Sequence, residues 1–142
     1  MRIKLSNTRG QSMFEVIFAI AIAALILVGV TSLAATSVRN SSFSKSNALA
    51  TKYAQEAVEW LRQERDTNWS QFSARASGST ISLGTIGTWG GSCIISGTEF
   101  CRKVTLSGIA TDTIEATVEV SWSDNQGSHE SRNITRFTNW NK

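Results

Sequence analysis

The sequence has few of the residue types around which most catalytic and metal sites are built. It contains no proline, two cysteines and one histidine among 142 residues. Cys93 and Cys101 are not part of a C-x-x-C pair or a Cys/His cluster, which argues against a zinc or dithiol redox site. His129 has no serine, aspartate or cysteine partner at a catalytic spacing, and this favours a solvated surface position.

Motifs typical of enzymes are also missing. The chain has no phosphate-binding loop, dinucleotide fingerprint or metal-ligand cluster. Glu115 and Glu119 alternate with apolar neighbours, a pattern typical of the solvent-exposed face of a strand and not of a catalytic pair. We therefore predict that the protein is not an enzyme and needs no metal or cofactor.

The net charge of +3 comes from the beginning of the chain. Arg2, Lys4 and Arg9 lie in the first ten residues, which contain no acid. Without these three, the 14 basic residues fall to eleven, which equals the eleven acidic residues. Nucleic-acid binding needs clustered Lys and Arg to neutralise phosphates, so the sequence carries no strong nucleic-acid signal.

A long apolar run follows the basic start. The 23 residues from Val16 to Val38 contain no charge, and Arg39 ends the run. As a helix they would measure about 34 Å, enough to cross a hydrocarbon layer of about 30 Å. We predict a single-pass membrane helix with its amino terminus in the cytoplasm, because basic flanks stay on that side.

A secretory signal peptide is the alternative for this segment. The triplet from Ser32 to Ala34 has the small-x-small pattern that signal peptidase accepts. Cleavage there would release a soluble product that begins at Ala35.

Glu15 lies immediately before the apolar run. A carboxylate costs about 3 kcal/mol at the middle of a membrane helix and less near its edge, so a nearby cation is expected. Cleavage after Gly10 would create an amino group at Gln11, four residues away on the same helix face. A partner on an adjacent subunit is equally compatible with this geometry.

This combination of a basic leader ending in Gly10, a new terminus at Gln11, Glu15 at the fifth position and an apolar helix resembles the type IV pilin superfamily. The resemblance covers residues 9 to about 38. It implies that a prepilin peptidase/methyltransferase cuts between Gly10 and Gln11 and methylates Gln11. It also implies that Glu15 pairs with the terminal amine of a neighbouring pilin subunit, on an inner-membrane assembly platform.

Two features depart from the usual pilin pattern. The mature chain would begin with Gln11 where pilins commonly have Phe, and it lacks the proline that perturbs the helix of many major pilins. Any loosening of this helix therefore depends on Gly29 alone. The stretch from Ala54 to Trp69 resembles that of minor pilins described as type IV pilus modification proteins.

We predict an α+β fold, a pilin-like ladle in which a long helix packs on a small antiparallel sheet. Residues 1–10 form the leader, 11–38 the hydrophobic half of the helix and 39–142 the globular domain, with helix to about residue 66. A stripe at spacings of three and four predicts the buried helix face. Its members are Leu49, Ala50, Tyr53, Ala54, Ala57, Trp60 and Leu61.

Alternating apolar residues predict the strands. The clearest run extends from Ile114 to Trp122, and turn residues follow it at 124–127. A short strand is expected within residues 77–91, another run at 103–106 and a last strand through Ile134 and Phe137. Trp60 and Trp122 are expected in the core, whereas Trp89, among glycines, is the candidate for exposure.

Residues 96–98 lie midway between the two cysteines, where a hairpin turn would place Cys93 opposite Cys101. A disulfide is then expected if the domain matures outside the cytoplasm. Two unpaired buried thiols are the alternative.

The leading hypothesis is a structural subunit, a minor pilin of a type IV pilus-like filament. The precursor would lie in the cytoplasmic membrane and the processed subunit in an extracellular pilus. The alternatives are a pseudopilin of a type II secretion system, in a periplasmic pseudopilus, and a membrane-anchored adhesion or DNA-uptake module.

Overall fold

The computed structural model describes residues 9–140, with side chains from residue 13 onward. It contains two helices, α1 (Arg9–Thr67) and α2 (Trp69–Ala74). Four strands follow, β1 (Ser77–Ser82), β2 (Cys101–Ala110), β3 (Thr113–Asp124) and β4 (Gly127–Thr138). The predicted α+β class is confirmed. The chain divides into two compact units at residues 43 and 44, and the two are described separately.

The first unit consists of helix α1 up to Phe43. Its composition explains the helix, because Ala, Leu and Ile fill most positions and no proline occurs. Gly29 is compatible with this helix, since a Cβ added there would meet nothing within 4 Å. Of the predicted leader, residues 1–8 lie outside the described part of the chain.

The second unit begins with the remainder of α1, which packs on the sheet through the predicted stripe. Ala50, Ala54, Ala57 and Leu61 are 0–1% exposed and belong to one hydrophobic cluster with the inner face of the sheet. Small alanines let the helix backbone approach the strands closely, while Trp60 and Leu61 fill the remaining volume. The stripe was therefore predicted correctly.

Helix α1 ends at Thr67, close to the predicted end, and a second short helix follows. The Asn68 side chain accepts a hydrogen bond from the backbone N–H of Gln71 at 3.0 Å and caps α2. This is the usual role of asparagine at a helix start. Phe72 of α2 is buried and meets Phe137 edge to face at 5.5 Å. The sequence analysis did not predict α2.

The sheet is an antiparallel meander in the order β1-β2-β3-β4. In β3, residues 114, 116, 118, 120 and 122 are buried, as the alternation predicted. A two-residue turn joins β3 to β4 and sets the register, so that Trp122 pairs with His129 and Ile114 with Phe137. Both Trp60 and Trp122 lie in the core, as expected.

Strand β4 also alternates between inward and outward residues, but most of its inward residues are polar. Its inward positions are occupied by polar, half-buried residues until Phe137, which is buried. Ile134 lies on the opposite face and is 58% exposed. Ser131 lies within 3.5 Å of the Thr51 hydroxyl on α1. This edge of the domain is therefore held more by polar contacts than the centre of the sheet.

Candidate functional site

The first unit exposes a continuous apolar surface. Fourteen large apolar residues between Met13 and Val38 are each at least half exposed, with Phe14 at 74%. Among the described residues, α1 is the one helix long and apolar enough to cross a membrane, and its most apolar 18-residue window is not buried at all.

Burial of these exposed apolar side chains would release a large free energy. Burying one large apolar side chain contributes about 1.5–3 kcal/mol, so covering the fourteen is worth on the order of 20 kcal/mol even after allowance for partial contact within the helix. A helix with so large an apolar surface could span a membrane.

Two threonine hydroxyls in the apolar half form hydrogen bonds within the helix. The Thr31 hydroxyl donates to the carbonyl oxygens of Leu27 and Val28, both at 3.0 Å. The Thr36 hydroxyl donates to the carbonyl of Ser32 at 3.0 Å. Because hydroxyls bonded to their own helix need no water, they do not oppose burial in lipid.

Glu15 differs from these two threonines. It is exposed in the first turns of α1, and residues 13–140 contribute no hydrogen bond or ion pair to it. Gly10 and Gln11 belong to the same helix, but their side chains lie outside the described part. Four residues separate Gln11 from Glu15, so the helix places the two positions on one face.

In the second unit, the structure joins Cys93 and Cys101 in a disulfide with Cα atoms 4.7 Å apart. Between them, the N–H of Ile95 donates to Phe100 O and the N–H of Thr98 donates to Ile95 O. Gly97 has a φ of 75°, which glycine adopts without strain. The segment therefore forms a tight, closed hairpin before β2.

Arg102, next to the disulfide, is a feature that the sequence analysis missed. It is 1% exposed, and its guanidinium donates to the carbonyl oxygens of Leu83 (2.7 Å), Tyr53 (3.0 Å) and Gly84 (3.4 Å). Glu56 lies 3.6 Å away. Burial lowers the pKa of Arg102, while Glu56 opposes that effect. The side chain ties α1, the β1–β2 connection and β2 together.

Trp89, the predicted candidate for exposure, is half-buried. Its indole N–H donates to the Glu64 carboxylate at 2.9 Å, and its ring lies 4.6 Å from that of Trp60. The Arg75 guanidinium lies over the same ring at 4.7 Å. Trp89 thus holds the β1–β2 connection against the helices and is not the exposed residue for which it was the candidate.

His129 is also less exposed than predicted. It is half-buried in β4, with Nε2 2.9 Å from Asp124 Oδ1 and the ring 5.5 Å from that of Trp122. Register explains the difference, because an odd-numbered position in β4 faces inward. The pair lies at the turn between β3 and β4, where Asp124 pairs with Gly127.

Comparison with known proteins gives no match to any family model, to any curated protein or to any solved structure. Among the described residues, no group of three or more His, Cys, Asp or Glu side chains is arranged to hold a metal ion. The described chemistry is therefore that of an apolar helix with one acidic residue near its beginning, followed by a small folded domain.

Proposed function

We propose that the protein is a structural subunit of a type IV pilus-like filament, of the minor pilin class. A prepilin peptidase/methyltransferase processes it after Gly10, and it assembles through the apolar half of α1. The observation that carries the proposal is the exposed apolar helix with Glu15 in its first turns. Before assembly this helix lies in the cytoplasmic membrane, and afterwards against the same helices of other subunits in a ladle-like pilin arrangement.

Glu15 gives this assembly its register. A carboxylate carried into an apolar filament core is unfavourable unless a cation meets it. The terminal amine of Gln11 on an adjacent subunit supplies that cation after processing. Axial slippage of one helix against the next would separate the two charges, so the pair selects one stagger.

The first experiment is amino-terminal sequencing and mass measurement of the protein from its native host. Processing after Gly10 predicts a mature chain that begins at Gln11, with or without an added methyl group. A chain that begins at Ala35 would show that the apolar helix is removed as a signal peptide. The proposal would then be wrong.

The second experiment separates assembly from membrane insertion. Glu15→Ala should insert and be processed as the wild type, because it removes an unfavourable charge from an apolar segment. Its recovery in sheared filaments should fall strongly. Glu99→Ala, an exposed acid in the folded domain, is the matched control. Equal incorporation of both variants would refute the role given to Glu15.

A pseudopilin of a type II secretion system would use the same helix and the same acid. The place of the assembled product distinguishes the two roles, since a pilus extends from the cell surface and a pseudopilus stays in the periplasm.

A further inference from the structure

Trp140 differs from the other four tryptophans of the chain. Trp60 and Trp122 are buried, and Trp69 and Trp89 are half-buried. Trp140 is 67% exposed. An exposed indole offers a large apolar face to a ligand.

This exposed ring is held in place. The Arg65 guanidinium lies between two aromatic rings, 5.5 Å from the centroid of Trp140 and 5.6 Å from that of Phe137. The Nε of Arg65 also donates to Asp66 at 2.7 Å, which fixes the plane of the guanidinium. Cation–π contacts of this kind orient a ring as well as attract it.

Two further contacts restrict Trp140. The N–H of the preceding residue, Asn139, donates to the carbonyl of Asp112 at 3.0 Å, which anchors the backbone beyond the end of β4. Trp140 also lies near enough to Asp66 to lower the pKa of that carboxyl, after the larger effect of Arg65. The ring is therefore preorganised and does not swing freely.

We propose that Trp140 is the stacking platform of a carbohydrate-binding site for neutral pyranose rings. A pyranose presents a face of C–H groups that packs on an aromatic ring and an edge of hydroxyls that needs hydrogen-bond acceptors. The exposed indole supplies the first, and the carboxylate of Asp66, whose side chain is 47% exposed, supplies the second.

The charges around the ring argue against nucleic acid. Stacking on bases is accompanied by Lys and Arg that neutralise the phosphates. Within residues 13–140, the cation that contacts the ring is Arg65, which lies over it and is already paired with Asp66. The described neighbours Arg65, Asp66 and Asn139 are polar and offer hydrogen-bond partners to hydroxyl groups.

The test uses the full-length protein in detergent micelles, immobilised for biolayer interferometry. The probes are neutral β-linked oligosaccharides of glucose and of N-acetylglucosamine, with single-stranded DNA and polygalacturonate as charged comparators. We expect the wild type to bind at least one neutral oligosaccharide. Trp140→Ala should weaken that binding by about tenfold or more, and Trp140→Phe by less.

Ile134→Ala is the matched control, since Ile134 is 58% exposed on the outer face of β4. It should bind as the wild type does, and circular dichroism should show equal melting for all variants. Failure of both neutral oligosaccharides to bind would overturn the proposal, as would equal binding by Trp140→Ala. Trp140-dependent binding of DNA alone, or loss only of contact between copies of the chain, would overturn it as well. None of these outcomes depends on where the leader is cleaved.

Discussion

Arg102 shows how one side chain can organise a small domain. Its three hydrogen bonds end on carbonyl oxygens from two segments that are distant in sequence, α1 and the β1–β2 connection. A guanidinium suits this role because its donors form a rigid planar fork. Burying it is unfavourable by itself, and the surrounding acceptors offset that penalty.

We predict that Arg102→Met destabilises the protein by on the order of 3 kcal/mol, because the buried carbonyls of Leu83 and Gly84 lose their donor. Thermal melting of the full-length protein in mild detergent, followed by circular dichroism, measures the effect. Lys103→Ala changes the adjacent residue on the exposed face of β2 and should be nearly neutral. Equal melting of the two variants would contradict the role given to Arg102.

Asp124 gives a pH-dependent prediction. The pKa of its carboxyl lies below the ordinary value of 3.8. The main cause is the hydrogen bond from the backbone N–H of Gln126, and the second is the hydrogen bond with the His129 side chain. A carboxyl with a lowered folded-state pKa stabilises the fold above its unfolded-state pKa. That contribution is lost as the pH falls through the folded-state pKa. Asp124→Ala should therefore lower the melting temperature at neutral pH, with a gap to wild type that narrows below about pH 3.8.

Asp124→Asn is the comparison for this measurement, since it keeps an acceptor oxygen for Gln126 and loses only the charge. Its melting temperature at neutral pH should lie between those of the wild type and Asp124→Ala. A gap that stays constant from neutral to acid pH would show that the ionised carboxylate contributes nothing.

Local sequence patterns predicted the long helix and the strands. They did not predict the contacts between residues that are distant in the sequence. The helical stripe and the alternation in β3 each follow from a period that the sequence displays. Arg102 alternates with its neighbours as any strand residue does, so nothing local marks its burial. Trp89 and His129 were misjudged because their partners, Glu64 and Asp124, become neighbours only through packing and register.

At the scale of the elements, the connection between β1 and β2 contains little regular structure, so it depends on several side-chain contacts to stay ordered. The Cys93–Cys101 disulfide closes the part of the connection next to β2. The hydrogen bond from Trp89 to Glu64 holds the part nearer β1 against α1. Gly84 permits the two halves to meet, since a Cβ there would collide with the carbonyl oxygens of Ser92 and Ile94. Composition alone indicated an irregular segment, and only the folded contacts show why it is ordered.

We predict that this disulfide contributes about 2.5 kcal/mol of stability, the chain-entropy value for so short a loop. Reduction of the purified protein should add two hydrogens to its mass and lower its melting temperature. The double variant Cys93→Ala, Cys101→Ala should melt like the reduced wild type and should not respond to reductant. An unchanged mass after reduction would show that the thiols are unpaired in the native protein.

At the scale of the whole molecule, the two units differ in where their apolar side chains lie. Every buried apolar residue of the described chain lies at Ala50 or beyond, whereas fourteen exposed ones lie between Met13 and Val38. The core of the second unit is therefore complete without the first. Its outer sheet face is polar, with ion pairs such as Arg136–Glu115 at 3.1 Å.

We predict that a fragment of residues 44–142 is a soluble, folded monomer, because it contains the whole hydrophobic cluster. Size-exclusion chromatography and circular dichroism test this, and the full-length protein should require detergent under the same conditions. Leu61→Ala in the fragment is the control for a native core, since Leu61 is 0% exposed and its truncation should cost about 2–5 kcal/mol. A fragment that aggregates or melts without a transition would contradict the prediction.

The order of the strands in the sheet is also their order in the chain. Each strand pairs with the one synthesised just before it, so no early strand waits for a late partner and few long loops must close. A chain with this order can add its hairpins one at a time, starting from the strand that follows the helices. Little unpaired strand is then left open to aggregation while the domain folds.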